Sequence, residues 1–412
     1  FQWPPLEHDP MLLFDNIQSP SKHILTQAED LPDLSRDIQE QSIILINGNF
    51  NYHFDIQALL TEIKPKLSRS SRLVVVVYNF YLKWLYLLSN RLKLRKGPVP
   101  STFLTYANLE NLAKLSGYQI VKEKPCVFFP FKLFGLGDLI NYILPAIPIL
   151  HYFSLVSIIT FRPVIKSRPS TLSIIIPAKN EEGNLENAMA TIPEIKDVSL
   201  EIIFVEGNST DGTWGKIQHL QETYKGPCNI RAFRQESRGK CDAVRLGFSH
   251  AESELLIILD ADLTIPATYI ARFYDAYAQG EADFINGNRL VYPMEGNAMQ
   301  FLNRLGNIFF AKALSHILDI RLGDSLCGTK LFSRLDYMRM VQWRRDFGDF
   351  DPFGDFELLY PASILGLGTI DIPIRYLSRK YGSTNISRFR DGWMLMKMTL
   401  TGFFRIKTGT FK

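Results

Sequence analysis

The sequence predicts an α/β protein with mostly parallel sheets, and three observations carry that prediction. Short apolar, β-branched runs recur, among them RLVVVVYNF, LSIIIPA and LEIIFVEGN, and runs without alternation are strands covered on both faces. Stretches with helical periodicity separate them, the order of a βαβ sheet. Several strands end abruptly in polar or acidic residues and a turn, where such sheets bind ligands.

With 412 residues, 46% hydrophobic and 21% charged, the chain can bury a full core in two or three domains. A formal net charge of +4 is too small to imply a nucleic-acid partner. Cys126, Cys228, Cys241 and Cys327 form no CxxC pair. That argues against a zinc site or disulfide framework and suits a reducing, cytoplasmic compartment. Because it opens on Phe1, the chain reads as a fragment or processed product.

The basic, proline-containing stretch Arg162 to Ser170 separates two regions. We expect a first domain over 1–163, a linker over 164–170 and a second domain over 171–412. In the first, SIILINGN is a buried strand, FDIQALLTEIKPKL a helix and RLVVVVYNF a second strand. A helix with an aromatic stripe around Trp84, a short helix from Tyr106 to Leu115 and the strand GYQIVKEKPCVFFP follow. The run Leu139 to Phe161 is long enough to span a bilayer, which takes ~20 residues. Pro145 and Pro148 interrupt it, Asn141 and His151 are polar, and Val156 to Thr160 has the β-branched density of a strand. It is read as helix, loop and strand.

The segments AEDLPDL, RLVVVVYN and STFLTYANLENLAKLSGYQIVKE resemble the second half of a class I SAM-dependent methyltransferase. That resemblance implies a partial Rossmann-like domain. The family holds its cofactor with a glycine-rich turn and an acidic residue on strands missing here, so no SAM is expected to bind.

The second domain alternates strands and helices: LSIIIPA, a helix from Glu181, LEIIFVEGN, a helix from Thr213, NIRAFRQ, a helix from Lys240, and ELLIILDADL. The strand ends Pro177 to Glu182, Glu206 to Asp211 and Asp260 to Asp262 should converge. In ILDADLTIP an apolar strand ends in Asp260, Ala261 and Asp262. Two carboxylates so placed repel, and a divalent cation with oxygen ligands would offset that and bridge a nucleotide diphosphate. The plainer reading is a turn with Asp262 as a helix cap. Pro177, Ala178, Asn180 and Glu181 offer a nucleoside an exposed loop backbone. Glu206 offers a carboxylate to a base edge or ribose hydroxyls. Asn180, Ser209 and Asp211 also suit ordinary turn capping.

Taken together, IIIPAKNEEGNLE, VEGNSTDGT, RGKCDAVRLGF and LDADLTIP resemble the family 2 glycosyltransferases of GT-A fold, across nearly all of Ser170 to Gly402. Downstream, GNRL, NRLGN, DSLCGTKLF, DFELLYPA, IPIRY and RKYGSTNISRFRDGW are most similar to the dolichol-phosphate mannose synthase and polyprenyl-phosphate branch. The resemblance implies a nucleotide-diphosphate sugar as donor, Mg or Mn, and inversion at the anomeric carbon. It implies that Pro177, Ala178, Asn180, Glu181 and Glu206 hold the nucleoside, that Lys240 lies near the phosphates, and that Asp260 and Asp262, flanking Ala261, hold the metal. VEGNST departs from the two consecutive Asp usual in this branch, Thr264 stands where Gln is common, and Thr329 replaces an aromatic.

Arg289, Arg304 and Arg379 lie in the matching segments, and arginine suits a lipid monophosphate acceptor. A saccharide or other soluble hydroxyl acceptor would instead need a base, for which Asp324 and Glu357 are the candidates. The basic, apolar C-terminal segment GWMLMKMTLTGFFRIKTGTFK suits either an interfacial helix at the cytoplasmic membrane face or a docked core helix. A nonenzymatic scaffold is the remaining alternative, and the intact Asp260 and Asp262 speak against it.

Overall fold

The structure is a computed structural model. It describes the chain apart from residues 4–13, 15, 16, 18, 38, 96, 132, 296–300, 348–350, 352, 353, 380, 382–387 and 408–412. The chain divides into two compact units, Phe1–Ile165 with Arg405–Lys412, and Lys166–Phe404.

In the first unit β1 (Ile43–Asn47), α1 (Ile56–Ile63) and β2 (Arg72–Tyr78) start a four-stranded sheet, with β1 and β2 parallel. Then come α2 (Lys83–Arg91), α3 (Tyr106–Leu115), β3 (Tyr118–Cys126), α4 (Leu136–Ile143) and β4 (Val156–Pro163). β4 lies between β2 and β3, antiparallel to both, giving the order β1-β2-β4-β3. The side chain of Asp55 accepts from the Ala58 amide and starts α1, and Thr105 caps α3 in the same way. Leu139 to Phe161 is thus the end of α4, 3-10 turns and a strand, as its two prolines require. Among the described residues no helix is long and apolar enough to cross a membrane.

The second unit is built on β5 (Thr171–Ala178), α5 (Leu185–Thr191), β6 (Ser199–Glu206), α6 (Thr213–Thr223), β7 (Asn229–Arg234), α7 (Lys240–His250) and β8 (Leu255–Ile258). After α8 (Ile270–Ala278) come β9 (Phe284–Asn288), α9 (Phe301–Leu318), β10 (Lys330–Ser333), α10 (Arg334–Gln342), α11 (Asp355–Ile364), β11 (Thr369–Pro373) and α12 (Arg388–Gly402). The strand order is β11-β9-β10-β8-β5-β6-β7, all parallel to their neighbours except β10. This is the expected α/β class. Ile174, Ile202, Ile257 and Ile285 are fully buried in its core. α7 packs closely because Gly247 faces the sheet: a Cβ there would stand 2.5 Å from Ile175 Cγ2. The helix α12 docks through buried Leu395 and Met398, and the Tyr360 hydroxyl donates to the Met398 carbonyl at 2.8 Å. That is the docked-core arrangement for this part of the basic segment; Trp393 stays exposed.

Candidate active site

The register of the sheet assembles the site. Ala178 at the end of β5 pairs with Glu206 at the end of β6, and the Leu259 amide just beyond β8 donates to the Ile175 carbonyl. The three polar strand ends therefore lie level. They are also tied together: the Asn180 amide donates to Ser209 Oγ at 3.0 Å, the Thr210 amide to Asn180 Oδ1 at 2.8 Å, and the Glu181 amide to Thr213 Oγ1 at 2.9 Å. Asn180 and Asn208 both adopt a φ of 57°, a conformation that Asn tolerates better than most residues. Asp211 accepts from the Thr213 amide, so the capping chemistry is present as well.

Both carboxylates of the DAD turn are matched by cations. Lys240, the first residue of α7, forms an ion pair with Asp260. Arg379 donates through Nη2 to Asp262 at 2.5 Å and through Nη1 to Glu181 at 3.2 Å. The other Asp262 oxygen accepts from the amide and hydroxyl of Thr264, at 3.1 and 2.9 Å, so Asp262 shapes the turn too. Burial alone would raise the Asp260 carboxyl pKa, but Lys240 beside it lowers it overall. At Glu181 burial wins and the pKa is raised, with Asp262 and Asp260 adding to the effect.

β10 runs antiparallel to β8, which brings the loop before β10 against the end of β8. A Cβ on Gly328 would stand 2.8 Å from Asp260 Oδ2 and collide with Lys240 Nζ. Lys330 is fully buried and donates to Asp355 at 2.5 Å and to the Cys327 carbonyl. At the end of β9, Arg289 Nε and Nη2 donate to the two oxygens of Asp324 at 2.7 and 3.0 Å. The amides of Arg289 and Leu326 add bonds of 3.2 and 3.1 Å. Burial would raise the Asp324 pKa, but Arg289 outweighs it and the result is lowered.

Several expected residues take other places. Asp324 holds Arg289 with both oxygens, which suits a positioning carboxylate and not a proton acceptor. Glu357 sits in a separate cluster, accepting from Arg245 at 3.1 and 3.0 Å, Arg344 at 2.5 Å and the Cys241 thiol at 3.1 Å. Its oxygens are thus engaged by two guanidiniums, away from the Asp260 and Asp262 turn. Arg304 is exposed on α9, and among the described residues no bond ties it to the other arginines. Ala178 and Ala261 are buried in the core. Glu206 is fully buried, accepting from the Ser209 amide at 2.5 Å and Arg234 Nε at 3.1 Å. Pro177 is half-buried at the end of β5.

Sequence reasoning missed Lys330, Asp355 and Gly328. Their signal was a lysine entering a short apolar strand in GTKLF, which a buried position tolerates only beside an acid. In the second unit four buried polar atoms find no hydrogen-bond partner among the described residues: Gln235 Oε1, Asn286 Oδ1, Ser325 Oγ and Thr329 Oγ1. Unmet polar atoms of this kind cost about 1–3 kcal/mol each and are what a bound ligand can satisfy. Among the described residues no three His, Cys, Asp or Glu side chains form a ready metal cage. Two adjacent carboxylates do fit a hard cation whose remaining ligands arrive with an anionic substrate.

Residues 173–339 match the family described as Glycosyl transferase family 2. A dolichyl-phosphate hexose transferase of Haloferax volcanii is 27% identical over 221 residues, 54% of this chain and 89% of that protein. A dolichol-phosphate mannosyltransferase of Pyrococcus furiosus is 32% identical over 155 residues, 36% of this chain and 43% of that protein. The solved glucosyl-3-phosphoglycerate synthase from Mycobacterium tuberculosis, in complex with Mn2+, uridine-diphosphate and glucosyl-3-phosphoglycerate, aligns at 18% identity and a TM-score of 0.41 over 57% of this chain and 80% of that one. The family match lies within the second unit, over residues 173–339, and with these relatives it makes the chain a glycosyltransferase.

Proposed function

We propose that the chain transfers a sugar, with inversion, from a nucleotide-diphosphate sugar to a polyprenyl phosphate, in a metal-dependent reaction. The observation that carries the donor half is the meeting of Glu181, Asp262 and Arg379, beside the Lys240–Asp260 pair, at the carboxyl ends of β5 and β8. The names of the two relatives support the acceptor half, a dolichyl-phosphate hexose transferase and a dolichol-phosphate mannosyltransferase.

The nucleoside lies over the backbone of Pro177 to Glu181, with Glu206 anchoring the floor of the loop that follows β6. Lys240 supplies positive charge to the diphosphate from the first turn of α7. Asp260 and Asp262 would hold Mg or Mn, which would neutralise charge on the departing diphosphate. Arg379 gives up Asp262 when the donor arrives and turns to a phosphate. The acceptor phosphate is already anionic at neutral pH, so it needs orientation and shielding more than a base. Arg289, fixed by Asp324, is aimed by that pair. The peripheral location at a cytoplasmic membrane face belongs to the same reading, and the first unit has no SAM-dependent role in it.

Transfer of label from nucleotide sugars to dolichyl or undecaprenyl phosphate, beside saccharide acceptors, tests this. Label in the lipid phosphate alone supports it. Label in a saccharide, with a carboxylate limb in the pH profile that Asp324→Asn removes, refutes the acceptor assignment.

A further inference from the structure

The first unit carries an apolar face that its own core does not use. Trp84 on α2 and Tyr81 just before it are each 61% exposed. Tyr81 meets Tyr152 edge-on with centroids 6.1 Å apart, and Asn79 Nδ2 donates to the carbonyls of Tyr152 and Ser154 at 2.9 and 2.7 Å. The 3-10 stretch Pro148–Phe153 therefore lies beside the turn Phe80–Leu82 that leads into α2, and it leaves Ile149 79% exposed. On α4, Asn141 accepts from the Phe128 and Phe129 amides and donates to the Phe129 carbonyl, fixing that helix against the loop after β3.

The turn ahead of α4 sets Leu133 and Phe134 at φ 36° and 55°, and the Phe134 ring is fully exposed. A left-handed backbone is unfavourable for a bulky L-residue. Among the described residues it gives the Phe134 ring no packing partner and holds that ring in water. Large apolar side chains exposed on neighbouring elements mark interaction surfaces.

Charge indicates the partner. From Phe80 to Leu109 the sequence has Lys83, Arg91, Lys93, Arg95 and Lys96 and no Asp or Glu. Arg95 is turned to the Tyr52 and Tyr78 hydroxyls, and Lys83 lies over the Phe103 ring. Arg91 and Lys93 are exposed, interleaved with exposed Leu92 and Leu94. Basic residues alternating with leucine beside exposed aromatics is the chemistry of an anionic bilayer interface. A ring exposed on all sides has no pocket wall to share with a shaped protein partner, whereas a fluid apolar phase can surround it.

We propose that this face docks on an anionic bilayer, with Trp84, Phe134 and Ile149 entering the boundary between headgroups and acyl chains and Arg91 and Lys93 meeting lipid phosphates. The inference concerns the first unit and stands apart from the donor chemistry of the second. Flotation of the full chain with phosphatidylcholine vesicles, with and without phosphatidylglycerol, tests it. The variants are Trp84→Ser with Phe134→Ser, and Arg91→Glu with Lys93→Glu. These exposed substitutions should leave the circular dichroism and any nucleotide-sugar thermal shift unchanged. The expected result is flotation with the anionic vesicles, weakened by added salt and reduced about tenfold by either pair. Flotation equal to the parent chain in the aromatic variant would overturn the proposal. So would no flotation of the parent chain, whether as a monomer or as a dimer that the aromatic substitutions dissociate. Loss of flotation with an intact nucleotide-sugar shift would leave the transferase reading standing.

Discussion

Arg289 and Asp324 form a two-point pair, with Nε and Nη2 donating to separate oxygens of a carboxylate that is fully buried. A fork held in this way is aimed, and it keeps the guanidinium in one orientation while its remaining donors stay available. Removing the acid leaves a buried charge without its partner, which costs about 3–5 kcal/mol. Asp324→Ala should therefore lower the unfolding free energy by that amount in urea melts and abolish transfer. Asp324→Asn, which keeps the shape, should weaken transfer without moving the acid limb of the pH profile of the activity that remains. A shift of that limb would make Asp324 a base.

Arg379 and a bound cation compete for Asp262. In Arg379→Ala the Glu181 and Asp262 carboxylates face each other without their shared guanidinium, so a divalent ion has more repulsion to relieve. Mn alone should raise the midpoint of Arg379→Ala by more than that of the parent chain. An equal or smaller rise would mean that the ion does not bind at Asp262.

Gly328 marks how closely the loop before β10 approaches the DAD turn. A methyl group there would meet Asp260 Oδ2 at 2.8 Å and displace the end of Lys240. Lys240 is flexible, so the fold should survive within a few degrees. Transfer by Gly328→Ala should fall about tenfold or more, because displacement of a charged group at a reacting centre is costly. Unchanged kcat and KM would place the diphosphate elsewhere.

Much of this was legible in the sequence. Unbroken apolar runs gave β5, β6 and β8, and the abrupt polar endings gave the convergence of Asn180, Glu206 and Asp260 once the sheet was taken as parallel. The partners of those carboxylates were not legible, because they come from distant segments: Arg379 lies 117 residues from Asp262 and Arg289 lies 35 from Asp324. The surroundings of Glu357 were hidden for the same reason, since nothing local to DFELLYPA shows that Arg245 and Arg344 enclose it. β10 was hidden because it is four residues long and antiparallel in an otherwise parallel sheet, and with it the buried Lys330–Asp355 pair.

Stability should depend on pH with two signs. Asp260 and Asp324 both have carboxyl pKa values lowered overall, burial opposing and their cations prevailing. Their contribution is complete above the ordinary value of about 3.9 and is lost as pH falls below it through the lowered folded values. Glu181 is raised, chiefly by burial, so its charged form weakens the native state at neutral pH. Glu181→Gln should therefore raise the melting midpoint at neutral pH. The gain should vanish in acid, where Glu181 is protonated both folded and unfolded. A gain that persists in acid would show that the substitution acts through packing.

The central claim is that Asp260 and Asp262, with Lys240 and Arg379, form a metal-assisted site for a nucleotide sugar. The most direct test is the melting midpoint of the chain against UDP, GDP and dTDP sugars with and without Mn or Mg, beside Asp260→Ala. Ligands that bind the native state alone raise the midpoint, by about 2.7 kcal/mol of stabilisation at a hundredfold excess over Kd. The account predicts a rise for one nucleotide class that requires the metal and disappears in Asp260→Ala. A rise of equal size without metal, or one retained in Asp260→Ala, would contradict it.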